Sequence, residues 1–281
     1  VNYAVKGTFA SGFLESLPHV ARKLKDPNSP ARERKFPAVA KAVQSASVLF
    51  LLRSHLTNTL GMVFKPVPGT DVQFCIWETR VNDYAAYAAA NAGVDGSWKS
   101  SGFTQADTHP VVNVSWEDAN AFCAWLTKKE LAEGKIKAGQ KYRLPTDAEW
   151  SVAVGLGKEK GNTPEEKQSG IKDVYPWGKE WPPPKEAGNY YKSLKVDNFD
   201  YTSPVGSFAA NQHGLHDMGG NVYEWCEDKY SPTRTSRVLR GASWGLYGPV
   251  YLLSSYRDLY APGGRGGLVG FRCVLVGGSG G

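Results

Sequence analysis

Arg237-Val238-Leu239-Arg240-Gly241-Ala242-Ser243-Trp244 and, further on, Val269-Gly270-Phe271-Arg272-Cys273-Val274 decide how this chain is read. One short apolar strand candidate starts at Val238 and another ends near Val274. The run between them, Gly245 to Leu268, is almost wholly Gly, Leu, Tyr, Ser, Pro and Arg, with little helical or alternating pattern. A bland loop would be richer in Ser, Asn and Asp, and a core segment would hold fewer Gly. Tyr and Leu exposed on a firm scaffold make a recognition surface, because Tyr supplies rigid amphipathic contact at low entropic cost.

The chain has 281 residues, enough for one large core plus an appendage. Hydrophobic residues make up 41% and charged residues 21%, as in soluble globular proteins. The net charge of +6 is lopsided: residues 1–58 hold nine Lys or Arg against three acids, which accounts for the whole excess. Such a basic segment suits nucleic acid or anionic lipid, but it is also what a solvated helical appendage carries, and that plainer reading is preferred. No specific nucleic-acid partner is expected. The longest apolar run, Val48-Leu49-Phe50-Leu51-Leu52, is too short to span a bilayer. The chain begins at Val1, as after removal of a leader that could have directed membrane or surface anchoring, or after trimming.

Residues 1–58 read as short helices, with Phe13, Leu14, Leu17 and Val20 at helical spacing, Val39, Val43 and Val48 more loosely so, and a break at Asp26-Pro27-Asn28-Ser29-Pro30. An extended stretch follows over Gly61 to Pro68, with a turn at Gly69 and a short strand at Phe74-Cys75-Ile76-Trp77. Val81, Tyr84, Ala85 and Ala88 share one helical face. Ser115 precedes an apolar face of Ala119, Phe122, Cys123 and Leu126, with Asp118 placed for the helix N-terminus. Thr146 and Glu149 make a second capping signal. Beyond about residue 155 regularity fades, so that half needs another source of order, such as bound ions or a buried aromatic network.

Catalytic constellations are scarce. His213 and His216 bracket Gly214-Leu215 but lack a third ligand, and structural hydrogen bonding is the better reading. There is no phosphate loop and no G-x-S-x-G turn. Four cysteines, Cys75, Cys123, Cys226 and Cys273, lack metal spacing and are either four buried thiols or one or two disulfides. Oxygen donors cluster twice, at Asn189, Asp197, Asn198 and Asp200 and at Asp217, Asn221 and Glu224, either as turn formers or as ligands for calcium, which takes six to eight hard oxygens.

Taken together, several stretches resemble the formylglycine-generating-enzyme (sulfatase-modifying-factor) family. They are Trp77-Glu78-Thr79, His109 to Trp116, Arg143 to Trp150, Tyr175-Pro176-Trp177-Gly178, Gly214 to Trp225, Arg240 to Trp244 and Gly270 to Cys273. The resemblance covers roughly residues 59–276 and implies an α+β, C-type-lectin-like fold with much irregular structure. The domain is expected over 59–281, with its variable region at about 240–273. The family's oxidase members use two cysteines in the segment after the Gly-Gly-Ser motif, where this chain has Leu246 and Tyr251. Neither side chain supplies a thiolate or a soft copper ligand, so formylglycine formation and a redox cofactor are not expected. The ergothioneine-synthesis relatives need an iron-binding histidine set that residues 1–58 do not clearly supply.

The resemblance also implies a Cys123–Cys273 disulfide, as in extracytoplasmic members. It implies structural calcium at two sets of oxygens. One is Asn189, the Tyr190 carbonyl, Asp197 and the Phe199 carbonyl; the other is Asp217, the Gly220 and Val222 carbonyls and Glu224.

Within that family the frame is most like the variable proteins of diversity-generating retroelements: Leu239 to Trp244, then Tyr256-Arg257, Pro262, Arg265 and Val269 to Arg272, with Ala242 where the group has a second Gly. Adenine-directed change of Asn codons never yields Lys, Glu, Gln, Trp or Met, and none of these occurs between Gly245 and Leu268. The likeness implies no catalytic residues and a ligand surface made of Gly245, Leu246, Tyr247, Val250, Tyr251, Ser255, Tyr256, Asp258, Leu259, Tyr260, Ala261, Gly264, Gly266, Gly267 and Leu268. Trp244, Arg257, Arg265 and Arg272 hold the backbone beneath. The expected partner is a variable protein or other macromolecule, met at the cell surface or outside the cytoplasm. Two rival readings are an undiversified lectin-like sensor and an enzyme with altered chemistry in the same cleft.

Overall fold

The computed structural model describes residues 55–277. The basic appendage expected over residues 1–58 lies outside the described residues except for its last four, 55–58. Two of those four, Leu56–Thr57, form strand β1 and pair with Val63–Phe64, so they belong to a sheet.

Period-two alternation builds the larger sheet. Strands β2 (Val63–Pro66) and β3 (Val72–Cys75) make a hairpin turned by Gly69 at φ +91°. The order is β1-β2-β3-β9-β4, all antiparallel, with β4 at Lys141–Arg143 and β9 at Val274–Val276. The last strand therefore sits inside the sheet, where Val274 faces both Phe74 and Arg143. Adjacent residues feed opposite cores: Phe64, Cys75 and Leu275 enter one cluster, while Val72, Phe74 and Val274 enter the other.

The smaller sheet runs β7-β6-β5-β8, with β5 at Tyr223–Lys229, β6 at Arg237–Arg240, β7 at Asp258–Tyr260 and β8 at Val269–Gly270. The sequence suggests one strand ending near Val274; the chain instead divides it between the two sheets. Phe271, Arg272 and Cys273 cross between them, fully buried, with the Thr79 amide donating to Phe271 O at 2.8 Å and the Cys75 amide to Cys273 O at 2.9 Å. Strand β7, inside the Gly-rich run, has no signal in the sequence pattern, because it is an edge pairing of only three residues.

Helix α1 (Val81–Ala90) buries Tyr84 and Tyr87, and α2 (Trp116–Ala132) buries Ala119, Phe122, Cys123 and Leu126 as their spacing dictates. Ser115 caps α2 and Thr146 caps α3 (Asp147–Val154), each in a reciprocal box with Asp118 or Glu149. The Phe122 ring meets Phe271 edge-on at 5.4 Å and stacks on Tyr84 at 5.9 Å, locking α2 to the sheet crossing. Beyond α3 only α4 (Pro164–Lys167) and a short 3-10 turn at Lys192–Leu194 precede β5. An aromatic network orders this half: Tyr175 stacks on Trp177 at 4.8 Å, and Trp177 meets buried Tyr190 edge-on.

Buried charge joins the layers. Arg257 spans Asp147 and Glu159 with four hydrogen bonds of 2.7–3.0 Å, and Arg240 donates to the same Asp147 while lying over the Trp150 ring. Trp150 Nε1 donates to Glu224 at 3.0 Å, and Glu224 takes two further bonds from Arg272. Burial raises the Asp147 carboxyl, but the two guanidiniums outweigh it and hold it below the usual carboxylate range.

Asp147→Asn leaves two buried cations short of a charge and should cost about 3–5 kcal/mol of unfolding free energy in urea titrations at pH 7. Because the folded value lies below the unfolded one, near 3.9, the Asp147 contribution is present above that pH and fades as the pH falls through the folded value, so the variant's deficit should shrink in strong acid.

Candidate ligand-binding surface

Gly245 to Leu268 forms two arcs joined by a buried seat. The first arc rises from Trp244, whose indole donates to Gly267 O at 3.1 Å and so ties the start of the run to its end. The seat is Leu252 to Ser255, all buried. There the Ser254 amide donates to Val174 O, the Ser169 amide donates to Ser255 O at 3.0 Å, and Ser255 Oγ donates to Ile171 O at 2.6 Å. The second arc carries β7 and is held from outside by the Trp116 amide on Pro262 O and the Asn113 amide on Gly266 O. Arg265 pairs with Asp118 at 2.7 Å. The framework roles expected of Trp244, Arg257 and Arg265 thus correspond to specific bonds, and Arg272 acts deeper, on Glu224.

The outward residues are those the resemblance names, with exceptions. Tyr247, Val250, Tyr251 and Tyr260 are 60, 51, 49 and 38% exposed, and Ala261 is exposed beside them. Leu246, Tyr256, Asp258, Leu259, Gly245, Gly264, Gly266, Gly267 and Leu268 are half-buried. Ser255 is a correction: it is fully buried, and its hydroxyl serves the fold. Leu246 also packs inward, between two apolar clusters.

The backbone of the run makes no demand for glycine. No residue from 243 to 276 has a positive φ. A Cβ on Gly266 would meet nothing; on Gly245 it would come within 2.9 Å of the Leu268 side chain and on Gly264 within 2.7 Å of the Tyr260 ring, so those side chains, both of the run itself, must move to admit it. On Gly267 it would come to 3.3 Å from Ser101 O and 3.4 Å from the Phe103 ring, residues outside the run. The scaffold behaves differently: at Gly220, φ +86°, a Cβ would come within 2.3 Å of Asn189 O, and at Gly270 within 2.5 Å of Val111 O. Ala242 itself sits at φ +62°, a region that glycine occupies at lower cost, which accounts for the Gly of the frame.

Chemistry at the cleft is sparse. Tyr251 and Leu246, where the resemblance implies the oxidase cysteines, carry no thiol, and Tyr251 lies edge-on to Tyr256 at 5.4 Å. Burial, aided by Asp258, pushes the Tyr223 and Tyr256 hydroxyls well up, so both stay neutral. The four cysteines are buried free thiols, and burial pushes Cys75, Cys226 and Cys273 up, away from thiolate. Cys123 and Cys273 have their sulfurs 3.4 Å apart, so the implied disulfide is present as a juxtaposition of thiols and not as a bond. His216 accepts a structural role, its Nδ1 2.8 Å from Phe208 O.

Among the described residues no group of three His, Cys, Asp or Glu side chains is arranged to hold a metal. The first oxygen set is nonetheless close-knit: Asp197 accepts from the Tyr190 and Phe199 amides at 3.0 and 2.8 Å, and buried Asn189 has an Oδ1 without a partner. The second set does not fit in the same way, because Arg272 and Trp150 already engage both oxygens of Glu224. That corner still holds more carboxylate than cation. Glu78 has an unpartnered buried oxygen, burial and Asp217 push its carboxyl well above the usual range, and burial pushes Asp217 up to about 6. Glu78, Asp147 and Glu159 carry no sequence signal of these roles, since their partners lie far along the chain.

The architecture is α+β and C-type-lectin-like, with much irregular structure. The chain belongs to the sulfatase-modifying factor enzyme 1-like domain family, whose profile matches residues 57–276. Its relatives include inactive C-alpha-formylglycine-generating enzyme 2 of Bos taurus, 38% identical over 151 residues, 51% of this chain and 41% of that protein. Formylglycine-generating enzyme of Thermomonospora curvata is 30% identical over 210 residues, 63% of this chain and 60% of the enzyme. The chain thus spans well under two thirds of the length of these relatives. The fold is similar to PvdO from Pseudomonas aeruginosa, with a TM-score of 0.56 at 22% identity, covering 80% of this chain and 98% of that one. No helix among the described residues is long and apolar enough to cross a membrane.

Tyr251→Ala combined with Tyr260→Ala should change unfolding free energy by no more than about 1 kcal/mol, as for exposed positions, whereas Ser255→Leu should cost about 2 kcal/mol or more by overpacking the seat. Parallel denaturation curves check the contrast, and equal losses would place the two tyrosines in the core.

Proposed function

We propose that this chain is a non-catalytic binding protein whose Gly245–Leu268 run is a diversified recognition surface, the product of a diversity-generating retroelement. One observation supports this above the others: the run holds no positive φ, and a Cβ added at Gly245, Gly264 or Gly266 meets at most side chains of the run itself, while its seat and flanks are locked by buried bonds. Diversification requires that combination, since a surface that deformed with each new sequence would not keep one fold. The exposed tyrosines supply the binding energy expected of aromatic hot spots.

Within this reading the ligand is a macromolecule, met at the cell surface or elsewhere outside the cytoplasm. The replacement of both oxidase cysteines by Leu246 and Tyr251 supports a non-catalytic role.

The nucleotide sequence of the locus tests the reading. An imperfect repeat of the segment coding for Gly245 to Leu268, differing at adenines and followed by a reverse transcriptase gene, is expected. Its absence reduces the function to that of an undiversified lectin-like module.

The first oxygen set carries a second proposal, structural calcium held by Asn189, Asp197 and the Tyr190 and Phe199 carbonyls. The unpartnered Asn189 Oδ1 supports it. Calcium at about a hundred times its Kd should raise Tm by roughly 5–10 °C, and neither Asn189→Ala nor Asp197→Ala should show the shift. Calorimetry with and without chelator decides, and an unmoved native Tm removes the ion from the account.

A further inference from the structure

Three aromatic side chains outside the run border it. Tyr191 is 37% exposed, its ring lies 5.4 Å from that of Tyr247, and its amide donates to Leu246 O at 3.0 Å. At the Trp244 end, Phe103 and Tyr201 stack face to face at 4.7 Å and 2°, and both meet the Trp244 ring edge-on at 5.5 and 5.0 Å. Tyr201 is 46% exposed. None of the three belongs to a buried apolar cluster of the domain, so their exposed faces are not needed to close a core.

We propose that the recognition surface has a fixed aromatic rim, Tyr191, Tyr201 and Phe103 along the Trp244–Tyr247 start of the run, that grips every ligand whatever residues fill the run, and that this ligand is a folded protein. The inference rests on the diversified reading and extends it. A process that rewrites Gly245 to Leu268 leaves residues 103, 191 and 201 untouched, so any energy they contribute is common to all sibling copies. Rigid, preoriented rings lose little entropy on binding, and aromatic anchors carry a large share of interface energy.

The rim is also coupled to the run. A side chain at Gly267 would come within 3.4 Å of the Phe103 ring, so the residue there touches the stack, and Tyr247 adjoins Tyr191 on the same side of the run. A protein surface fits better than a small molecule. The depression beside the run, about 480 Å³, is lined by Gly96, Ser97, Ser100, Asn113 and Arg265, so none of the three rings lines it. The exposed Lys192 and Asp200 beside Tyr191 and Tyr201 make the polar border usual at protein interfaces.

The test displays the full chain as a library randomised at Tyr247, Val250, Tyr251, Tyr260 and Gly266, selects it against hen lysozyme and against ubiquitin, and then places Tyr191→Ser and Tyr201→Ser together in each binder. The expected result is a loss of about tenfold or more in affinity across unrelated binders at an unchanged Tm, with Tyr191→Phe and Tyr201→Phe keeping affinity. Should the serine variants melt early, Tyr191→Lys and Tyr201→Lys, which keep an aliphatic stem over the same ground, carry the comparison. Binders whose Kd moves less than about twofold overturn the rim alone. An empty selection on the native framework overturns the diversified reading and the rim with it. Selection of oligosaccharide binders from the same library, with no protein binders, overturns the class of partner.

Discussion

A chain of buried charge holds this domain together. Glu159, Arg257, Asp147 and Arg240 follow one another through direct hydrogen bonds, and Arg240 lies over Trp150, which passes the contact on to Glu224 and Arg272. These residues come from the loop after α3, from the Gly-rich run, from α3 itself, from β6, from β5 and from the crossing between the sheets. Each guanidinium is too costly to bury without its carboxylate, so the segments are fixed relative to one another or the fold is lost. Arg257 ties the middle of the run to α3 from beneath.

That anchorage explains how rigidity and permissiveness coexist within a few residues. Underneath, the Ser254 main chain, the Ser255 hydroxyl and the Arg257 guanidinium bond to the scaffold, and the main chain of both arcs is bonded to residues 113, 116, 191 and 221. Above, the backbone stays in ordinary conformations, and an added Cβ meets mostly the ends of neighbouring side chains of the same run. Gly220 and Gly270 of the scaffold show the opposite condition, with backbone where a Cβ would be.

The same architecture serves proteins named as enzymes and proteins named as inactive. At the two positions where the resemblance implies oxidase cysteines, Leu246 packs inward and Tyr251 stands exposed as an aromatic side chain. The four cysteines of the chain are buried in the core.

The fold class, the family, the two capped helices and the position of the run were legible in the amino-acid sequence because each rests on local physics. Ser115 and Thr146 satisfy amides three residues away, the α2 face repeats with the helix, and the frame from Leu239 to Arg272 is a contiguous spacing. Only the tertiary structure decided which of those residues meet. It split the Val269–Val276 stretch between two sheets, put Ser255 inside, gave Glu224 to Arg272 and made Asp147 the hub of two arginines. It also brought Phe103, Tyr191 and Tyr201 to the edge of the run. These pairings join residues far apart in sequence, and their energies come from burial and mutual charge, quantities that no residue carries until the chain has closed around it.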